Sequence, residues 1–173
     1  MMQHQSEPTL IELIRYNNWA NAQIIATCQE LTTEQLAAAA PGTYGAIHET
    51  LGHIIFAEAD YVGRLTGDRP QPSFKREDGP TVADLAAFAE QVATALLTAA
   101  QRIPPTQMVY EEEDGQTIEY QARHLFIQTI NHGVEHRTNI TTILSGLGLA
   151  APEVDGWGYL FAYPDRFALK EGP

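Results

Sequence analysis

Apolar residues recur every three or four positions along four long stretches of the chain, which is typical of helices that bury one face. The stretches run from about 8 to 29, 45 to 67, 81 to 103 and 121 to 145. Thr81-Val82-Ala83-Asp84 resembles a capping box at the start of the third stretch. Four helices of about 20 residues predict an all-α fold built as a four-helix bundle.

A short β-hairpin is predicted just before the last helix. Residues 109–120 alternate between apolar and polar side chains around a central Asp114-Gly115. A lone hairpin is marginal in water, so we expect it to pack on the bundle. The connections over 30–43 and 68–80 contain proline and glycine and are predicted to be loops.

The last segment, residues 148–173, is an aromatic extension of what we interpret as a single domain over residues 1–173. It is too aromatic for a disordered tail, so we expect it to pack on the bundle or on a neighbouring subunit. Its aromatic residues are Trp157, Tyr159, Phe161, Tyr163 and Phe167.

Two histidines, His132 and His136, stand four residues apart in the predicted fourth helix. At this spacing they lie about 40° apart around the helix, one turn above the other, so both rings can point at one metal ion. Their stripe also carries Leu125, Ile140, Ile143 and Leu147, so the pair is predicted to face the core. A hydrogen-bonded core pair is the alternative, but each ring would then need partners for both nitrogens.

The predicted second helix offers two candidates for a third ligand, His48 and His53. They are five residues apart, about 140° around a helix, so one mononuclear site would not use both. Periodicity slightly favours His48, which borders the apolar stripe, whereas His53 lies toward a small-residue face with Thr50 and Ala57. Spacing alone leaves the choice open. The stripe itself consists of Ile47, Leu51, Ile54, Ile55 and Glu58.

Composition and charge argue against nucleic acid and membranes as partners of this protein. The 22 acidic residues outnumber the 10 basic ones, and a net charge of −12 repels nucleic acid. No apolar run reaches the roughly 20 residues of a membrane span, and the N-terminus does not resemble a secretory signal, so we expect no membrane and a cytoplasmic location. The single cysteine, Cys28, excludes internal disulfides and is interpreted as buried filler rather than a nucleophile.

Three motifs together resemble those of the DinB-like family. The first is Arg15-Tyr16-Asn17-Asn18-Trp19-Ala20-Asn21 on the first helix. The second is the run from Gly45 to Ile55 followed by Glu58, Tyr61 and Arg64-Leu65, and the third is Asn131-His132 with His136-Arg137. Their order and spacing along the first, second and fourth helices agree with that family.

The resemblance implies an up-down-down-up bundle in which three histidines bind a divalent metal, often zinc or nickel. The second-helix ligand lies in the Leu-x-His-Ile position, which is Leu51-Gly52-His53-Ile54 here. The implied ligands are therefore His53, His132 and His136, against the weak periodicity preference for His48. Where relatives continue His-Arg-Gly-Gln, this chain has His136-Arg137-Thr138-Asn139, and its aromatic tail beyond Gly156 also departs from the family pattern.

Three neutral imidazoles leave a metal position open, as in catalytic sites, where an ion lowers the pKa of bound water or thiol. Some DinB-like proteins are thiol-dependent S-transferases, so the resemblance implies a low-molecular-weight thiol and a small electrophile as partners. No motif identifies catalytic residues. The aromatic residues Tyr16, Trp19, Tyr44 and Tyr61 are candidates for a pocket beside the metal, although aromatics at helical spacing are usually core.

Two other functions stay open. His132-x-x-Glu135-His136 also matches the motif of inverted zinc peptidases, in which the glutamate is the general base, although no strand-rich scaffold is predicted here. The second is a non-catalytic, dimeric metal-binding module, because fold and metal do not fix function.

A homodimer is expected because relatives are dimers and because the tail, Ala37 to Ala40 and Ala99-Ala100 offer surplus apolar surface.

Overall fold

The computed structural model describes residues 8–169, so the predictions for residues 1–7 and 170–173 lie outside the described part. In chain order it contains α1 (Thr9–Gln29), α2 (Thr33–Leu36), α3 (Ile47–Thr66), α4 (Val82–Arg102), β1 (Met108–Glu113), β2 (Gln116–Gln121), α5 (Arg123–Gly146) and α6 (Gly156–Ala162). Short 3-10 turns span Arg76–Asp78 and Pro164–Phe167. The mostly helical fold with one antiparallel hairpin before the last long helix is confirmed.

Local sequence accounts for most boundaries of the long elements. Thr81 caps α4 in the predicted capping box with Asp84. Gly67 ends α3 in the left-handed conformation, with φ of 78°. Asp114 and Gly115 also take positive φ, 50° and 76°, as a two-residue hairpin turn requires.

The four long helices bury two separate apolar clusters. Helix α1 packs on α4 and α5, and α3 packs on the same two helices. One cluster joins the C-terminal part of α1 to the N-terminal parts of α3 and α4 and the C-terminal part of α5; it includes Ile24, Leu51, Phe88 and Ile143. The other joins the opposite ends of these helices and includes Ile14, Val62, Leu96 and Phe126. Most of the buried polar residues lie between the clusters along the helices and form the site described below.

The hairpin packs on the helices as predicted. Val109 of β1 is 5% exposed and belongs to the second apolar cluster. Arg64 of α3 forms an ion pair with Glu111 of β1 at 3.3 Å. Because an isolated hairpin is marginally stable, its contacts with α3 and α5 stabilise it.

Two short helices were not predicted. The predicted loop over 30–43 contains α2, which begins with a capping box between Thr32 and Gln35 that the sequence displays. The tail contains α6, whose N-cap Asp155 accepts hydrogen bonds from the backbone N–H groups of Trp157 and Gly158. Both helices begin with a recognisable cap, and both are too short to show a helical period.

The tail folds back on its own chain, and Tyr159 is its buried aromatic side chain. Tyr159 is 4% exposed, packs against the rings of Tyr16 and Trp19, and donates a hydrogen bond to Glu12 at 2.6 Å. The other aromatic side chains of α6 and the following turn stay exposed. The tail therefore covers α1 with one face, while its own outer face remains exposed. These exposed residues are Trp157, Phe161, Tyr163 and Phe167.

Two sequence interpretations were wrong in detail. Leu147 is 43% exposed because it lies at the C-cap of α5, past the last buried turn. Ala99 and Ala100 are buried within this chain by the second apolar cluster, so they offer no surface to a second subunit. Among residues 8–169, one helix, α4, is long and apolar enough to cross a membrane by length and composition alone. In this fold α4 packs against α1 and α3.

Candidate metal centre

Three histidines from two helices converge between the apolar clusters. His132 and His136 lie one turn apart on α5, are 8% and 7% exposed, and face the half-buried His53 of α3. The Nε2 atoms of His132 and His53 are 2.9 Å apart, and one ligating atom from each of the three rings lies within 4.8 Å of the others. The structure thus brings together the three residues that the family resemblance implied.

His48 lies apart from this cluster. Its Nε2 donates to the carbonyl oxygen of Pro80 at 2.8 Å, which ties the start of α3 to the loop before α4. His48, the candidate that periodicity slightly favoured, is therefore hydrogen-bonded to Pro80 and does not join the other histidines.

The three rings are held in the neutral state. Burial lowers the pKa of His132 from 6.5 to about 4, and the neighbouring His136, His53 and Arg137 add to the effect. Burial also lowers the pKa of His53 and of His136, while the Glu135 carboxylate opposes the shift in both. Neutral imidazoles present lone pairs, which is the state that binds metal ions.

The donor set fits a divalent transition metal such as zinc. Nitrogen ligands at about 2.0–2.1 Å from a tetrahedral ion lie about 3.3 Å from each other, so the closest pair here needs to separate only slightly. Within residues 8–169, Nδ1 of His132 and Nδ1 of His136 are buried without hydrogen-bond partners. Such groups are rare unless an ion or water completes them, and a ring that binds an ion through one nitrogen still needs a partner for the other. The close approach of one ligating atom from each of the three rings is what allows the residues present to hold a metal ion.

Two of the four candidate aromatic residues flank the histidines. Tyr44 stacks on His53 with ring centroids 4.1 Å apart and meets His136 edge-on at 5.0 Å. Tyr61 meets His132 edge-on at 5.9 Å. Tyr16 and Trp19 instead pack beneath α6.

Asn139 links the loop before α3 to α5, the helix that carries His132 and His136. Its Oδ1 accepts the backbone N–H of Tyr44 at 2.6 Å, and its Nδ2 donates to the carbonyl of Glu135 at 2.8 Å. Asn139 is part of the departure from the family's His-Arg-Gly-Gln pattern. In this chain it positions the ring that stacks on His53.

Behind the histidines, a buried polar network connects α1, α3 and α5. Asn17 and Asn21 each donate through Nδ2 to Oε1 of Glu58, at 2.7 and 2.8 Å. Their Oδ1 atoms accept from Nη1 of Arg137, at 2.8 and 2.7 Å. Because Arg137 follows His136 directly, the network determines how α5 presents its histidines. The sequence analysis did not predict this network. The signal that could have indicated it was the presence of polar Asn17 and Glu58 within otherwise apolar helix stripes.

Both ions of this network are nearly inaccessible to water. Arg137 and Glu58 are 1% and 3% exposed. Burial raises the pKa of Glu58, while the hydrogen bonds from Asn17 and Asn21 and the charge of Arg137 oppose that rise. Burial likewise lowers the pKa of Arg137. The two asparagine amides therefore bridge opposite charges that would be costly to bury singly.

Gly133 allows this close approach of α1 to α5. A Cβ atom at this position would lie 2.5 Å from Oδ1 of Asn17 and 2.6 Å from Nη1 of Arg137. Any larger residue would displace the network, so glycine is needed here despite its cost of about 1 kcal/mol inside a helix.

The structure also places Glu135, the candidate general base, and Cys28, which was interpreted as buried filler. Glu135 is exposed on α5, close enough for its charge to act on His53 and His136. Cys28 is fully buried in the first apolar cluster, and burial raises the pKa of its thiol to about 12. The structure thus supports the interpretation of Cys28 as core filler.

Comparison with known proteins agrees with this site. A model of the DinB family matches residues 1–166. The chain is also 24% identical over 173 residues to Protein DinB of Bacillus subtilis (strain 168), a match that covers 87% of this chain and 92% of that protein. A family match over nearly the whole chain, together with the converging histidines, supports one conclusion: the chain belongs to the DinB family.

Proposed function

We propose that this protein binds one divalent metal ion, zinc or nickel, through His53, His132 and His136 and works as a metal-dependent thiol S-transferase. The convergence of three neutral, mostly buried imidazoles carries the proposal. A closed structural zinc site has four protein ligands, whereas three protein ligands leave a position for substrate.

A divalent ion held by the three histidines would supply a Lewis acid that lowers the pKa of a thiol beside it. The thiol loses its proton to solvent, and its sulfur attacks an electrophilic carbon. The carbon–sulfur bond forms as the bond to the leaving group breaks, and the leaving group departs with the electron pair. Tyr44 and the Asn139 hydrogen bond keep the His53 ring in position during this reaction.

The order of helix ends in the two apolar clusters supports an up-down-down-up arrangement for the bundle. The C-terminal parts of α1 and α5 share a cluster with the N-terminal parts of α3 and α4. In such bundles, metal ligands come from facing helices, as α3 and α5 do here. We further propose that the protein acts in the cytoplasm as a homodimer.

Elemental analysis and a thiol assay test this function together. The purified protein should contain about one divalent ion per chain. His132→Ala combined with His136→Ala should abolish that stoichiometric metal, whereas His124→Ala, at an exposed position on the same helix, should retain it. Retention of metal by the double variant would show that the site is wrong.

The metal-loaded protein should accelerate the reaction of a small thiol with 1-chloro-2,4-dinitrobenzene, and the chelated protein should not. Stoichiometric metal without any acceleration would reject the transferase and leave a metal-binding module. Hydrolysis of peptides instead would favour the peptidase interpretation of Glu135.

A further inference from the structure

A cavity of about 630 Å³ opens beside His53 and is not used in the site described above. Tyr44, which stacks on His53, and Gly52, which precedes it, form part of its wall. Phe56 and Arg76 also line it, and His48 and Glu49 lie on the wall shared with a neighbouring cavity. The volume is sufficient for a small organic substrate.

Arg76 gives this cavity a positive charge. Its guanidinium carbon lies 4.8 Å from the centroid of the Phe56 ring, a cation–π contact that restrains the side chain. Its charge also acts on His53, which places it close to the metal centre. Within residues 8–169, no carboxylate forms an ion pair with Arg76. Its guanidinium therefore has no acidic side chain among the described residues that would compete with an anionic ligand.

Glu49 is the acidic residue of the same wall, and it is already engaged. Its Oε2 accepts the backbone N–H of Ala46 at 3.1 Å and so caps α3. A ligand in the cavity therefore meets a cation at Arg76 and a hydrogen-bonded carboxylate at Glu49. This polarity favours a ligand with one negative group and disfavours a second negative group near Glu49.

We propose that Arg76 is a specificity residue that binds the carboxylate of a low-molecular-weight thiol, with Tyr44 guiding the thiol end toward the three histidines. The proposal rests on the thiol chemistry proposed above and adds the substrate class: a thiol that carries a carboxylate. A guanidinium fork matches a carboxylate with two parallel hydrogen bonds, and the stacked Phe56 ring keeps the fork oriented.

Two thiols of equal length separate charge recognition from simple filling of the cavity: 3-mercaptopropionate and 3-mercapto-1-propanol. Binding is measured by NMR titration of the chelated, metal-free protein, so that sulfur–metal bonding does not contribute. Arg76→Gln should weaken binding of 3-mercaptopropionate about tenfold or more, the size of a lost charge-assisted contact. Lys75→Gln, an exposed neighbour outside the cavity, should change it less than about twofold.

The neutral alcohol should bind weakly and equally to the wild type and to Arg76→Gln. Equal weakening by the two substitutions would mean that general charge attracts the anion, and it would overturn the proposal. An equal loss for the alcohol and the acid would also overturn it, because Arg76 would then only shape the wall. Arg76 is exposed, so we expect the variant to fold, which circular dichroism checks.

Failure of this inference can be told from failure of the proposed function. If Arg76 controls carboxylate binding in the metal-free protein but no thiol is consumed by the loaded protein, the site is supported and the transferase is rejected. If thiols are consumed with no preference for the carboxylate, the transferase stands and the role of Arg76 is rejected.

Discussion

In the metal-free protein, His132 should make the folded state sensitive to acid. Burial beside His53 and His136 lowers its pKa from 6.5 to about 4. The unfolded chain binds this proton near pH 6.5, whereas the folded chain does not bind it until about pH 4. Folding is therefore progressively disfavoured as the pH falls from 6.5 to 4, and full stability from this group is present above 6.5.

The size of the effect follows from the two pKa values of His132. Each pKa unit corresponds to about 1.4 kcal/mol, so the loss relative to pH 7 is about 2 kcal/mol at pH 5 and about 3 kcal/mol at pH 4. The ring is 8% exposed, so solvent screening reduces this little.

His132→Gln removes the titrating ring and should remove this component. The pKa of His53 is lowered by burial, His136 and Arg76, and that of His136 by burial, so these contributions persist in the variant. His124→Gln is the matched control, because His124 is exposed on the same helix.

Urea unfolding of the chelated proteins at pH 7 and pH 5 measures the difference. The wild type and the His124 control should lose about 2 kcal/mol more unfolding free energy between these pH values than His132→Gln does. An equal loss in all three proteins would refute the burial of a neutral His132.

Three further predictions concern the site and the assembly. His53→Ala should weaken zinc binding sharply in a chelator competition while His48→Ala binds nearly as well as the wild type; the reverse would make periodicity the better guide. Glu58→Ala should lower the unfolding free energy by about 3–5 kcal/mol by leaving Arg137 buried without its acidic partner. Exposed Glu90→Ala should change it by less than about 0.5 kcal/mol, and equal losses would show that the network carries no such energy. Light scattering should give the mass of two chains, and 19.1 kDa at micromolar concentration would contradict the dimer.

Much of the fold was predictable from the sequence because its signals are local. Apolar spacing gave the four long helices, and the Thr81 capping box and the Asp114-Gly115 turn placed an important helix start and the hairpin. The spacing of His132 and His136 similarly ensures that both rings project from one side of α5. These features depend on residues within one or two turns of each other, so no tertiary structure is needed to find them.

The third ring of the cluster depended on tertiary structure. His48 and His53 both lie on α3, and helical spacing slightly favoured the one that instead bonds Pro80. Which of them faces α5 is decided by the rotation of α3 when its apolar residues enter the core. The same packing brings Asn17, Glu58 and Arg137 together from three helices and folds Tyr159 back onto α1. These contacts join residues up to 147 positions apart, where sequence periodicity carries no information about distance.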